Sequence, residues 1–269
     1  MYISMQNIDW VTFILKLVLV PTFVAVISFA GRRWGATVGG WLIGLPFNSA
    51  PIAFFLALEQ GSFFASKASE AIMLGVSSVF IFCLTYSRIA KRLSWFQSIP
   101  VAFVAFFIST FILDELTLPL FAEFGLALLI LIICAYLMPH VGTDRLATWQ
   151  TRWELPVRMV SATALVILIT ALAPLLGSQL TGLLSPFPIY ATTLAVFVHR
   201  SQGGEEAIKL LRGVVVGSIT FIVFFLILSL SIIQWGIALS FLMAIGVSFL
   251  THFCSLQILK YRNRIPGLH

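Results

Sequence analysis

The chain has 269 residues, 60% of them hydrophobic and only 10% charged, with a formal net charge of +6. A soluble domain carries about 25% charged residues, so this composition excludes a water-covered globule. The basic excess does not point to nucleic acid either, because Lys and Arg are scattered between apolar runs, where they orient a chain in a membrane.

Apolar runs of about 20 residues recur along the chain, the length that crosses a hydrocarbon core of about 30 Å. They place spans at about 10–30, 37–58, 69–88, 95–113, 118–138, 157–176, 178–198, 208–232 and 236–258. Backbone groups cannot stay unpaired in lipid, so each run is predicted to be a helix. The expected class is an all-α integral membrane protein with about nine transmembrane helices in a single membrane domain. Met1 to Asn7 lack a basic region and no small-residue cleavage motif follows, so the first span is expected to remain in place.

In chain order, the first span carries Lys16 and the second is interrupted by Gly44-Leu45-Pro46-Phe47-Asn48-Ser49-Ala50-Pro51. The fifth carries Glu123 a few residues from its start. Before the sixth, Leu146, Trp149 and Trp153 share one face beside Arg145 and Arg152, which suits a short interfacial helix or an ordinary basic loop. The seventh span is interrupted by Gly182-Leu183-Leu184-Ser185-Pro186-Phe187-Pro188-Ile189-Tyr190. In the eighth, Gly213 and Gly217 form a GxxxG pair, which permits close helix contact. His252 is alone in the last, with no second ligand at metal spacing, and no metal or other cofactor is expected. Cys83, Cys134 and Cys254 lie inside apolar runs and form no CxxC pair.

With nine spans, one side collects Arg32, Arg33, Arg88, Lys91, Arg92, Arg145, Arg152, Arg158, Arg200, Lys209, Arg212, Lys260, Arg262 and Arg264, leaving only Lys16 and Lys67 of the 16 basic residues. The positive-inside rule makes that side cytoplasmic, with the N-terminus outside and the C-terminus inside. Asp9, Glu59, Glu70, Asp114 and Glu115 then fall outside. Trp10 and Trp235 mark the outer boundary, and Trp34, Trp95, Trp149 and Trp153 the inner one.

Shifting the sequence by 138 residues aligns 39–76 with 177–214, with nine identities in 38 positions, among them Gly39/Gly177, Gly44/Gly182, Ala53/Ala191 and Gly75/Gly213. Each copy is a Pro-interrupted helix, a polar turn, and a helix opening with small residues. Span two then corresponds to span seven, five spans on, and an odd offset inverts one copy relative to the other. Two inverted halves, 1–138 with about five spans and 139–269 with about four, are a recurrent plan of secondary transporters.

Proline removes an N–H and clashes with the preceding turn, so both helices should break at these runs. Pro51, and Pro186 or Pro188, suit the first turn of a new half-helix, with Ser49 and Ser185 available as N-caps. Helix N-termini present free N–H groups and partial positive charge, which suit an anion or carboxylate. The predicted substrate site is therefore Asn48, Ser49, Ser185 and Tyr190, with Thr192 and Thr193 one turn on. The alternative is that the prolines only kink packed helices. Lys16 and Glu123, both charges at membrane depth near one side, form the second candidate, an embedded pair or cation relay; independent snorkelling is the competing reading.

No Walker A loop, HExxH, nucleophile elbow or dinucleotide fingerprint occurs in the sequence, so nucleotide-driven pumping is not expected. A membrane-embedded enzyme would need several convergent His, Asp or Glu residues at membrane depth, and the sequence offers only Glu123 and His252, near opposite sides, so no enzyme is expected. The run from Gly182 to Ala191, followed by Leu211-Arg212-Gly213, resembles the GlpM-type membrane proteins, a family of small bacterial inner-membrane proteins linked to alginate production. The likeness covers roughly residues 177–214, and family members are about half as long, which would suit a fused duplication. The first half departs from it, having Pro46-Phe47 where the second has Phe187-Pro188. The resemblance implies a bacterial inner membrane and names no substrate.

These observations lead to a secondary transporter or flippase of a small solute or lipid-linked substrate, an anion being the charge that the helix ends suit. The alternative is a non-catalytic membrane scaffold or assembly factor in an envelope pathway. The partners expected are membrane lipids and that substrate, with homo-oligomers allowed and nucleic acid excluded.

Overall fold

The computed structural model describes residues 10–22, 24, 25, 46, 49–139, 141 and 154–262, with side chains as far as Thr251. Asn48, the first half of span two, the 145–153 segment and the side chains of His252 and Cys254 lie outside the described residues. The described elements are helices: α1 (Trp10–Thr22), α2 (Ser49–Gln60), α3 (Ser62–Ile89), α4 (Trp95–Asp114), α5 (Leu120–Leu137), α6 (Glu154–Leu184), α7 (Ile189–Gln202), α8 (Gly204–Gly217) and α9 (Ile219–Arg262). Among the described residues there is no strand. Among the described residues, five segments are long and apolar enough to cross a membrane: Ser62–Ile89, Trp95–Asp114, Leu120–Leu137, Leu155–Leu184 and Gly204–Thr251. The chain is an all-α integral membrane protein.

Four junctions are built from one glycine each. Gly61 (φ 86°) joins α2 to α3, and Gly203 (φ 94°) joins α7 to α8. Gly177 (φ 71°, ψ 172°) divides α6, and Gly236 (φ 71°, ψ 177°) divides α9. Positive φ with ψ near 180° is open essentially to glycine alone, so these residues fix where one helix stops and the next begins. The divisions at Gly177 and Gly236 fall where the sequence separates its sixth from its seventh run and its eighth from its ninth. The eighth run also has a turn at Ser218, whose N–H is held by the Val214 and Val215 carbonyls.

The core is organised around α3, which packs against α2, α4, α5, α6, α8 and α9. Its small residues make this possible: Ala65, Ser66, Ala68, Ser69, Ala71, Gly75, Ser77 and Ser78 are buried or at close contacts. Without a hydrophobic drive between helices in lipid, such residues let backbones approach until dispersion and hydrogen bonds hold them. A Cβ on Gly75 would lie 2.7 Å from the Leu183 carbonyl oxygen, and one on Gly182 would lie 2.4 Å from Ala71 Cβ. The predicted GxxxG contact is not where close approach occurs: a Cβ on Gly213 would meet nothing within 4 Å. By contrast α4 and α5 turn large apolar side chains outward, including Val104, Ile108, Phe111, Leu129 and Ile132. Outward apolar faces of this extent fit lipid rather than water.

Pairing the two hairpins through Gly61 and Gly203 gives an offset of 142 rather than 138. In that register Gln60-Gly61, Ala65 and Lys67 fall on Gln202-Gly203, Ala207 and Lys209. The 138 register pairs Gly75, jammed against Leu183, with Gly213, which faces open space. The two registers differ by about one helical turn, so hydrophobic periodicity satisfies both.

Candidate functional site at the paired helix breaks

The half-helix from 178 to 184 ends in a turn at Ser185 and Pro186, and α7 begins at Ile189. Ser185 does not cap α7. Its hydroxyl donates back to the Thr181 carbonyl at 2.7 Å, Pro188 occupies the N-cap, and no side chain caps the helix. The turn is pinned by Phe187, which stacks on Phe103 at 5.3 Å and meets Phe106 edge-on at 5.4 Å. Thr192 and Thr193 donate back to the Pro188 and Ile189 carbonyls at 2.6 and 2.7 Å, four residues earlier in the first turns of α7, and the Pro188 carbonyl also accepts the Thr192 N–H.

Ser49 is the first residue of α2 rather than its cap, and Pro51 sits in the first turn as expected. The Ala50 N–H reaches the Pro46 carbonyl at 2.8 Å. The Ser49 hydroxyl donates to the Ser185 carbonyl at 3.2 Å, and both serines are buried. The start of α2 therefore touches the turn that breaks the seventh run. The contact lies about halfway along α3: Leu183 packs on Gly75, thirteen residues from Ser62 and fourteen from Ile89. From there α2 runs about 17 Å to Gly61 at the start of α3, and α7 runs about 20 Å to Gly203. Gly204 then rests on the Ala90 carbonyl at the far end of α3.

Three groups at the breaks have features that the sequence did not reveal. The Tyr190 hydroxyl and the Thr181 hydroxyl are buried without hydrogen-bond partners. Buried polar atoms without partners are uncommon and mark places where another polar group is accommodated. The Arg158 guanidinium lies 5.7 Å from the Tyr190 ring centroid. Arg158 counts as a boundary residue when runs are measured along the chain. Its long side chain, however, carries the charge inward along an apolar wall, as snorkelling does in the outward direction. With Arg158, Tyr190, Thr181 and the Ser49–Ser185 contact, the breaks combine one cation, orphaned hydroxyls and helix N-termini. That set suits an anion.

The predicted pairing of Lys16 with Glu123 does not form. Lys16 Nζ bonds Glu59 Oε1 at 2.5 Å and the Thr170 hydroxyl at 2.6 Å, and lies 5.4 Å from the Phe55 ring centroid. Glu59 ends α2 close to Lys16, so the ammonium finds a carboxylate without crossing α3. Glu123 is buried from α5 on another side of α3, with Glu70 and Lys67 as the charges acting on it. At the basic end, Arg88 donates to the Leu137 carbonyl at 2.7 Å, Lys91 bonds Glu205 at 2.7 Å, and Tyr86 shares a 3.0 Å hydrogen bond with His199. Among the described residues no three His, Cys, Asp or Glu side chains gather to hold a metal ion.

Comparison with family models, curated proteins and solved structures finds no match to this chain.

Proposed function

We propose that the chain is a secondary transporter or flippase that crosses the membrane about nine times in two inverted halves. It would move an anionic solute or lipid-linked substrate past the junction of its broken spans. One observation carries this reading: two half-helices, arriving from opposite ends of α3, meet near its midpoint through Ser49 and Ser185. Discontinuous helices in matching positions of two halves are the arrangement from which midplane transport sites are built. The shared conformation of Gly61 and Gly203 supports a duplication, and the opposite directions of α2 and α7 along α3 support its inversion. Arg158 beside Tyr190 favours an anion.

Sidedness follows the basic residues. Lys91 with Glu205, Arg88 with Leu137 and Tyr86 with His199 join helix ends that all fall on the Lys- and Arg-rich side. That side is cytoplasmic in this reading, with the N-terminus outside. The GlpM-type resemblance directs the proposal to a bacterial inner membrane, and the reading assigns the chain no catalysis of its own.

A second reading, a membrane scaffold or assembly factor, draws on the fact that both serine hydroxyls are engaged by backbone carbonyls. Satisfied serines are what a mere kink requires. Cysteine labelling separates the two readings. In a background lacking Cys83, Cys134 and Cys254, Ser49→Cys and Ser185→Cys are treated in oriented vesicles with a membrane-impermeant thiol reagent. Transport predicts labelling from one side or both, with protection by an anion that Arg158→Gln abolishes. Folded protein that labels at neither position leaves the scaffold standing and sinks the transport site.

A further inference from the structure

We infer that Glu123, facing the Lys67–Glu70 pair, is a proton-binding site that loads from the Lys67 end of the bundle. This rests on the transport reading only for its role as a coupling site; the site itself stands on the following geometry. Lys67 Nζ binds both oxygens of Glu70, at 3.2 and 2.9 Å, and the Ser229 hydroxyl donates to Glu70 Oε1 at 3.2 Å. Ser66 donates to the Ser229 carbonyl at 2.9 Å, fastening α3 to α9 beneath the pair. Glu70 thus has a cation and a hydroxyl of its own. Glu123 comes from α5, is 4% exposed, and its Oε2 is buried with no hydrogen-bond partner. The charges acting on it are Glu70, which repels it, and Lys67, which attracts it but already grips Glu70.

One ammonium and two carboxylates leave the cluster with a net charge of −1 in an apolar surround. A buried charge at membrane depth without a partner of its own is costly, and neutralisation removes most of that cost. One proton on Glu123 brings the cluster to zero: the carboxylate takes H⁺ from water at the exposed end, becomes a neutral carboxyl, and returns H⁺ on release. Loading is assigned to this end because the Lys67 side chain is 50% exposed and Glu70 15% exposed, while Glu123 is buried behind them. A metal cation fits less well. The Lys67 ammonium already neutralises Glu70 and would repel a second cation there, and no set of three candidate ligands forms among the described residues.

Among the described residues, the other elements packed on α5 place their charges away from Glu123. α5 packs on α3, α8 and α9. The α9 stretch before Gly236 has no charged residue, and the charges of α8 sit at the far end, where Arg212 reaches the Met138 carbonyl after α5 ends. Asp114 and Glu115 belong to the turn before α5 and are partly or fully exposed.

pH-difference infrared spectroscopy on the purified full chain in lipid tests the site without a substrate. Acidification should raise a carboxylic-acid C=O band in the wild type that is lost in Glu123→Gln and kept in Glu205→Gln. Lys67→Met should move the midpoint of that band to higher pH, which preserves the test if Glu123→Gln fails to fold. A band that survives unchanged in folded Glu123→Gln, or a Lys67→Met midpoint that does not move, overturns the proposal. So does sodium raising the melting temperature of the wild type but not of Glu123→Gln, because the occupant is then a metal cation. Loss of the Glu123 band together with Ser49→Cys and Ser185→Cys that never label would retain the proton site and reject transport. Labelled breaks with no Glu123 band would do the reverse.

Discussion

The hairpin of α2, Gly61 and α3 and the hairpin of α7, Gly203 and α8 share one backbone device and differ in how they handle charge. Each turns on a glycine of positive φ, followed by Ala and Lys at the same distances: Ala65 and Lys67, then Ala207 and Lys209. Each lysine pairs three residues away, Lys67 with Glu70 and Lys209 with Glu206. Around the first hairpin a second ion pair joins the buried Lys16 to Glu59 near the end of α2, at 8% and 24% side-chain exposure. Around the second, Lys91 and Glu205 meet at 46% and 61% exposure. The backbone of a turn is fixed by steric rules that do not depend on surroundings. The value of an ion pair depends on them almost entirely.

The largest test of this difference removes one cation at each end. Lys16→Met removes a buried ammonium and leaves Glu59, near the end of α2, without its partner; losing a hydrogen bond between charged groups costs about 1.5–3 kcal/mol. Lys91→Met leaves an exposed Glu205 that water can solvate, where pairs contribute little. Unfolding of both variants in micelles should show a large loss for the first and almost none for the second. Lys16→Met with Glu59→Met should recover most of the loss. Equal effects from Lys16→Met and Lys91→Met would show that the two ends are not electrostatically distinct.

A comparable effect comes from the residue after the glycine. The first hairpin has Ser62 there and the second has Gly204, where a Cβ would lie 2.0 Å from the Ala90 carbonyl oxygen. Gly204→Ser copies the first hairpin into the second and should cost about 2–3 kcal/mol, the upper part of the range for forcing atoms into a packed site. Ser62→Gly should cost only the few tenths that glycine loses near a helix start. A tolerated Gly204→Ser would mean that α8 can slide away from α3.

Much of this architecture was legible in the sequence because the period and length of apolar runs act on every residue of a helix. The divisions at Gly177 and Gly236 and the broken seventh run follow from run length and proline. What stayed hidden depends on azimuth around a helix. Lys16 had two acidic neighbours at the same depth, Glu59 and Glu123, and depth alone does not say which side of α3 each occupies. The GxxxG pair misled for the same reason: Gly213 has the spacing for contact but faces away from the packed side of α8. Arg158 was missed because a count along the backbone locates its Cα and not its guanidinium, which the long side chain sets beside Tyr190. The caps expected of Ser49 and Ser185 failed because each hydroxyl turned to a carbonyl instead, Ser185 back to Thr181 in its own helix and Ser49 across to Ser185, which a list of residue preferences does not contain.

The smallest of these effects is the one that bears on common descent of the hairpins. At Gly61 and Gly203 an added Cβ would meet nothing within 4 Å, so replacing either by Ala changes backbone conformation alone. The two φ values, 86° and 94°, lie in the same glycine-only region. Gly61→Ala and Gly203→Ala should therefore destabilise by the same amount, about 1–2 kcal/mol each, within the range for a residue held in a sparsely populated conformation. They should also add when combined, because the two sites lie at opposite ends of α3 and share no partner. If Gly61→Ala is costly while Gly203→Ala is silent, the second junction relaxes into another turn. The Gln-Gly-x-x-x-Ala-x-Lys match is then a coincidence of sequence, and the inverted pairing of α2 with α7 loses its firmest anchor. Equal and additive losses would tie both hairpins to one turn, used once at each end of α3.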